Sequence, residues 1–122
     1  MNPDILVVGA GPVGLTLVLA LRRQGVAVRI VDKAAARTDK SKAVVIWPRT
    51  LDLLDIQGIA QSFVDAGVRS HGARILGEGR ELVHAHFDLA RCAFPFALLI
   101  PQSETERLLE QHLAAAGVQV ER

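Results

Sequence analysis

The stretch from Ile5 to Asp32, ILVVGAGPVGLTLVLALRRQGVAVRIVD, leaves this chain few choices of fold. An apolar run Ile5-Leu6-Val7-Val8 halts at Gly9-Ala10-Gly11-Pro12-Val13-Gly14, and an apolar segment then continues to Leu21. Gly25 ends that segment, and a second run from Val26 to Val31 closes on Asp32. The order is strand, tight turn, helix, strand. Each glycine has a task in a G-x-G-x-x-G turn: Gly9 permits the sharp bend, Gly11 lets a pyrophosphate approach the backbone, and Gly14 lets the helix lie close on the sheet. The helix start offers unpaired N–H groups and a partial positive charge to phosphates. Asp32 follows Gly14 at close to the interval of about 20 residues expected of an acid that hydrogen-bonds a ribose hydroxyl. A lone glycine motif is weak evidence, but here strand, helix and terminal acid agree on a dinucleotide site. The bland alternative is a structural turn that binds no phosphate.

The 122 residues, 50% hydrophobic, suffice for the core of an ordinary domain. A net charge of +1 with scattered Lys and Arg argues against nucleic acid and against an anionic membrane surface. Cys92 has no cysteine partner within the chain, so a reduced cytoplasm is the default compartment. The uncharged run from Ile5 to Leu21 could pass for a signal or membrane segment. Asp4 stands where a basic region should precede it, and the glycines and Pro12 cut it, so a soluble protein is expected.

After Asp32 the chain turns polar, KAAARTDKSK, and reads as a loop carrying Lys33, Arg37, Lys40 and Lys42. These cations form either a solvated connection or a rim near a bound pyrophosphate. Val44-Val45-Ile46-Trp47 is β-like, Pro48 starts a helix that ends near Gly58, and a shorter helix follows from Ile59 to Ala66. From Val68 to Phe87 the pattern alternates around Gly77-Glu78-Gly79-Arg80, which predicts a β-hairpin and, after a βαβ start, a second antiparallel layer. His84 and His86 share a face of that strand, but no further Cys or His stands at ligand spacing, so no metal is expected. His71, His112 and Cys92 read as structural, and no catalytic triad or carboxylate pair emerges. Ala97 to Ile100 predicts a strand, and Ser103 with Glu106 predicts a capping box that opens a helix. That helix carries the apolar stripe Leu108, Leu109, Leu113 and Ala116, and Val118-Gln119-Val120 then returns beside the Val28 to Val31 strand. The fold class is α/β, a Rossmann-like βαβ unit with a parallel sheet, joined by the start of an antiparallel sheet.

Three blocks, DILVVGAGPVGLTLVLALRRQGVAVRIVDK, SKAVVIWPRTLDLLD and IPQSETERLLEQHL, occur in the order and at the distances seen in flavin-dependent aromatic hydroxylases. The chain resembles the N-terminal part of these class A flavoprotein monooxygenases, of the p-hydroxybenzoate hydroxylase type. The likeness is nearest to the branch acting on phenolic and polycyclic polyketide substrates. It implies FAD as cofactor, with the pyrophosphate on Gly9, Gly11, Pro12, Val13 and Gly14 and the adenosine ribose on Asp32, next to Lys33. It further implies Lys42 on the flavin side, Gln102 and Arg107 at the ribityl and phosphate groups, and Arg49 close to the cofactor. Three positions depart from the family pattern. Lys42 replaces an arginine and loses its planar fork, Val18 replaces a small residue on the first helix, and Val45 replaces a glycine near the flavin.

What the resemblance implies for function is a monooxygenase that takes NAD(P)H as transient reductant, O2, and a small aromatic or polyketide substrate. Other FAD-dependent oxidoreductases, halogenases, and a non-catalytic dinucleotide-binding piece remain as alternatives. The domains expected are 1–67 with 97–122 for FAD and 68–96 as an inserted hairpin of the substrate-side layer. The family's later D-G and G-D segments do not occur, so the chain is expected to be an inactive fragment of a longer protein.

Overall fold

The computed structural model describes residues 2–40, 44–88 and 91–122. The elements run β1 (Ile5–Val8), α1 (Pro12–Arg23), β2 (Val28–Val31), β3 (Val45–Ile46), α2 (Pro48–Ile56), α3 (Ala60–Ala66), β4 (Val68–Ser70), β5 (Gly72–Gly77), β6 (Arg80–His86), β7 (Ala97–Leu99), α4 (Gln102–Ala115) and β8 (Val120–Glu121). Val44–Ile100 forms one compact unit, and the described residues on either side of it form the other.

The unit that contains both chain ends is a parallel sheet in the order β1-β2-β8 with α1 packed against α4. Ile5 pairs with Val28 and Val8 with Val31, while Ile30 and Val31 pair with Val120 and Glu121. The return of the last strand to β2 is as the sequence predicts. Leu15, Val18 and Leu19, at i, i+3 and i+4, turn one stripe of α1 inward, and Leu109 and Leu113 do the same for α4. Val18 is fully buried, so the larger side chain is accommodated at the position where the family pattern has a small one. A bidentate pair, Arg29 Nε to Glu121 Oε1 at 2.7 Å and Nη2 to Oε2 at 2.5 Å, ties short β8 to β2.

One expectation fails at the start of α4. Ser103 is not the N-cap: the helix begins at Gln102, and Pro101, with φ −60° and ψ 144°, caps it without any side-chain bond. A proline holds φ near this value and its carbonyl is free to accept, so Glu104 and Thr105 both donate to Pro101 O at 3.0 Å. Glu106, the acid of the expected box, is buried and accepts from Gln102 Nε2 at 2.7 Å instead.

In the other unit β7 runs between β3 and β4, antiparallel to both. Here α2 packs against α3, and Leu51, Leu54, Phe63, Leu98 and Ile100 are buried. The alternating stretch yields more than a hairpin, because β4 breaks away at His71 to pair with β7. The hairpin itself, β5 with β6, turns at Glu78 (φ 50°) and Gly79 (φ 75°), the positive angles that a tight two-residue connection requires.

Candidate nucleotide-binding site

The turn between β1 and α1 is built so that its glycines cannot be exchanged freely. Gly9 has φ 105°, open to glycine alone at low cost, and a Cβ on Gly14 would lie 2.0 Å from the carbonyl oxygen of Gly9. Gly11 differs: its backbone is ordinary, and a Cβ there would meet no protein atom within 4 Å. Backbone conformation thus explains Gly9 and close packing explains Gly14, while Gly11 is open to the outside, where a ligand's phosphates could come close to the backbone.

The hydrogen bonds of the turn point the same way. Gly9 donates to Val31 O at 2.8 Å, Ala10 to Asp32 Oδ2 at 2.7 Å, and Leu15 to Gly11 O at 3.0 Å. Pro12 has no N–H, and among the described residues the amides of Gly11, Val13 and Gly14 find no protein acceptor. No acidic side chain stands in the first turn of this 12-residue helix itself, so its own residues leave the positive end of its dipole uncompensated. This arrangement can hold a diphosphate, and the residues present fit the ADP half of a dinucleotide.

Asp32 sits at the tip of β2 facing that turn. Its Oδ2 accepts from Ala10 and its Oδ1 from the Ala34 amide, also at 2.7 Å. These two backbone donors, with smaller help from the nearby charges of Arg122 and Lys33, hold its carboxyl below the usual aspartate value. Each oxygen keeps a further lone pair, so a sugar hydroxyl can still donate to it.

The structure gathers Gly9, Gly11, Pro12, Val13, Gly14, Asp32 and Lys33 at the adjacent ends of β1 and β2. Gln102 and Arg107 belong to the same unit, on the first turns of α4, and each hydrogen-bonds to neighbours on that helix. Arg107 donates to Glu104 through Nε at 2.9 Å and Nη2 at 2.6 Å, and to Gln111 at 3.2 Å. Arg107 and Glu104 line an open cleft of about 270 Å3 together with Arg37, Thr38, Asp39 and Ser103. Arg49 lies exposed on α2 in the other unit, and Lys42 lies outside the described residues.

Two features escape sequence reasoning. Ala10 supplies the amide that Asp32 holds, and an alanine carries no chemical signal. Arg37, one of the loop cations, is paired with Glu110 at 3.0 Å, and Glu110 also takes Arg122 at 2.5 Å. Partners so distant in sequence cannot be seen from spacing.

Fold and site define a dinucleotide-binding βαβ unit, and comparison with known proteins names its kind. A family described as FAD binding domain matches residues 2–122, and the chain belongs to that family. The 6-methylpretetramide 4-monooxygenase of Streptomyces rimosus is 37% identical over 98% of this chain, which covers 22% of that enzyme. Among solved structures, an anhydrotetracycline hydroxylase from Streptomyces rimosus matches the whole chain at 32% identity and TM-score 0.85, with 24% of its length covered. A p-nitrophenol 4-monooxygenase from Pseudomonas putida matches 96% of the chain at 26% identity and TM-score 0.88, with 31% of its length covered. The chain therefore spans about a quarter of the length of these proteins.

Proposed function

We propose that this chain is the ADP-binding portion of an FAD-dependent monooxygenase that hydroxylates a small aromatic or polyketide-type substrate with NAD(P)H and O2. The observation that carries the reading is the set of unpartnered amides at Gly11, Val13 and Gly14 beside the carboxylate of Asp32. In this reading those amides bind the pyrophosphate, and Asp32 accepts a hydroxyl of the adenosine ribose while Lys33 adds positive charge nearby. Lys42, Arg49, Gln102 and Arg107 serve the remaining phosphate and flavin side, and for Arg107 that means sharing or releasing its grip on Glu104. FAD, when bound, would supply the redox chemistry of a monooxygenase, in which two electrons come from NAD(P)H, one atom of O2 goes to an electron-rich ring and the other to water.

The named activities of the relatives support the monooxygenase class and the aromatic or polyketide substrates, and β4 to β6 serve as the start of a substrate-side layer. In this reading the protein works in a reduced cytoplasm, the default compartment for a chain whose Cys92 has no cysteine partner within it. With about a quarter of the relatives' length present, the 122 residues alone turn over no substrate. The test is a 1H–15N spectrum of the chain titrated with ADP. The amides of Gly11, Val13 and Gly14 are expected to shift together, and saturating ADP that leaves them unmoved overturns the reading.

A further inference from the structure

The β1–α1 turn is fastened to β2 at successive amides. Gly9 donates to the backbone oxygen of Val31, a bond that does not depend on any side chain. Ala10 donates to Asp32 Oδ2, and this one does. Ala10 is 4% exposed, so its N–H has little water to turn to if the carboxylate is removed. The Ala34 amide on Oδ1 fixes the rotation of that same carboxylate. The next residue after Ala10 is Gly11, the first of the turn whose N–H has no protein acceptor among the described residues.

We infer that Asp32 is a positioning residue for the phosphate-binding turn: by holding the Ala10 amide it sets the direction of the Gly11 amide and of the start of α1. It thereby governs binding of the diphosphate as well as of the sugar. This rests on the nucleotide reading above and adds a role that a ribose contact does not require. Simple electrostatics predicts the reverse, since a carboxylate near a diphosphate repels it and its removal should strengthen phosphate binding. A loss of phosphate affinity is therefore the mark of positioning.

The experiment titrates ADP and 2′,3′-dideoxy-ADP, which keeps the diphosphate and lacks both ribose hydroxyls, into the 122-residue chain and its Asp32→Ala and Asp32→Asn variants. Asp32→Ala is expected to weaken dideoxy-ADP about tenfold, the loss of one hydrogen bond to a charged acceptor. Asp32→Asn keeps an oxygen that can accept from Ala10 and is expected to restore most of that affinity. If Asp32→Ala binds dideoxy-ADP as well as the unaltered chain does, or better, the acid acts on the sugar alone and the positioning role is overturned while the nucleotide reading stands. If the unaltered chain binds neither ligand, the nucleotide reading falls first and the inference with it. Should Asp32→Ala fail to fold, hydrogen exchange in the unaltered chain decides. An Ala10 amide as slow as that of Gly9 supports the inference, and one as fast as an exposed loop amide overturns it.

Discussion

Gly11 and Gly14 look alike in the motif, and the structure separates them by what a methyl group would strike. At Gly14 it would strike backbone, so Gly14→Ala should cost about 3 kcal/mol of stability, seen as a lowered urea midpoint. At Gly11 it would strike nothing of the protein, so Gly11→Ala should change stability by less than about 1 kcal/mol while ADP affinity falls about tenfold. Equal loss of stability in both variants would remove the case for a ligand at Gly11. Asp32 gives a pH signature. Its carboxyl is held below 3.8 in the folded chain, so its contribution is complete above that value and disappears as pH falls through the lower folded value. The melting-temperature difference between the chain and Asp32→Asn should accordingly be constant near neutrality and shrink below pH 3.8. The glycines and Asp32 were legible because backbone geometry and charge restrict residue type there. Ala10 was not, since its role lies wholly in its N–H.

α4 shows where periodicity reads true, at Leu108, Leu109 and Leu113 though not at Ala116, which is exposed just past the helix end, and where caps mislead. Its stripe is set by the 3.6-residue repeat, and Leu113, fully buried, is expected to cost about 3 kcal/mol when changed to alanine. The cap depends on a competition that spacing does not reveal. S-x-x-E is satisfied by Ser103 and Glu106 on paper, yet Pro101 starts the helix earlier and leaves Glu106 to Gln102. Ser103→Ala should therefore cost less than about 0.5 kcal/mol, against about 1 kcal/mol for a serine that caps. Gln102→Ala should cost more, about 1–3 kcal/mol, because it strips a hydrogen bond from a buried acid. Thermal melts that rank Ser103→Ala as the worse of the two would restore the capping box. The partners of β7 were equally hidden, since an antiparallel strand gives no sequence mark of which neighbours it joins.

At the scale of the molecule, the β1 side of the parallel sheet is the feature that needs an account. Parallel strands are ordinarily covered on both faces, and their apolar runs reflect it. Here β1 is an edge of the three-stranded sheet, with Leu6 53% and Val8 78% exposed. The sequence made β1 legible as a strand through its unbroken apolar character, and that character presumes neighbours which the described residues do not supply. A chain spanning about a quarter of its relatives' length carries strands suited to a larger sheet, so the uncovered edge offers both free backbone groups and apolar side chains to another copy. Light scattering should show self-association rising with protein concentration. Leu6→Lys, which places a charge on that edge away from the glycine turn, should reduce association while leaving ADP affinity unchanged. A chain that stays monomeric at high concentration, or a Leu6→Lys variant that associates as strongly as the original, would show that the β1 edge is not the sticking surface.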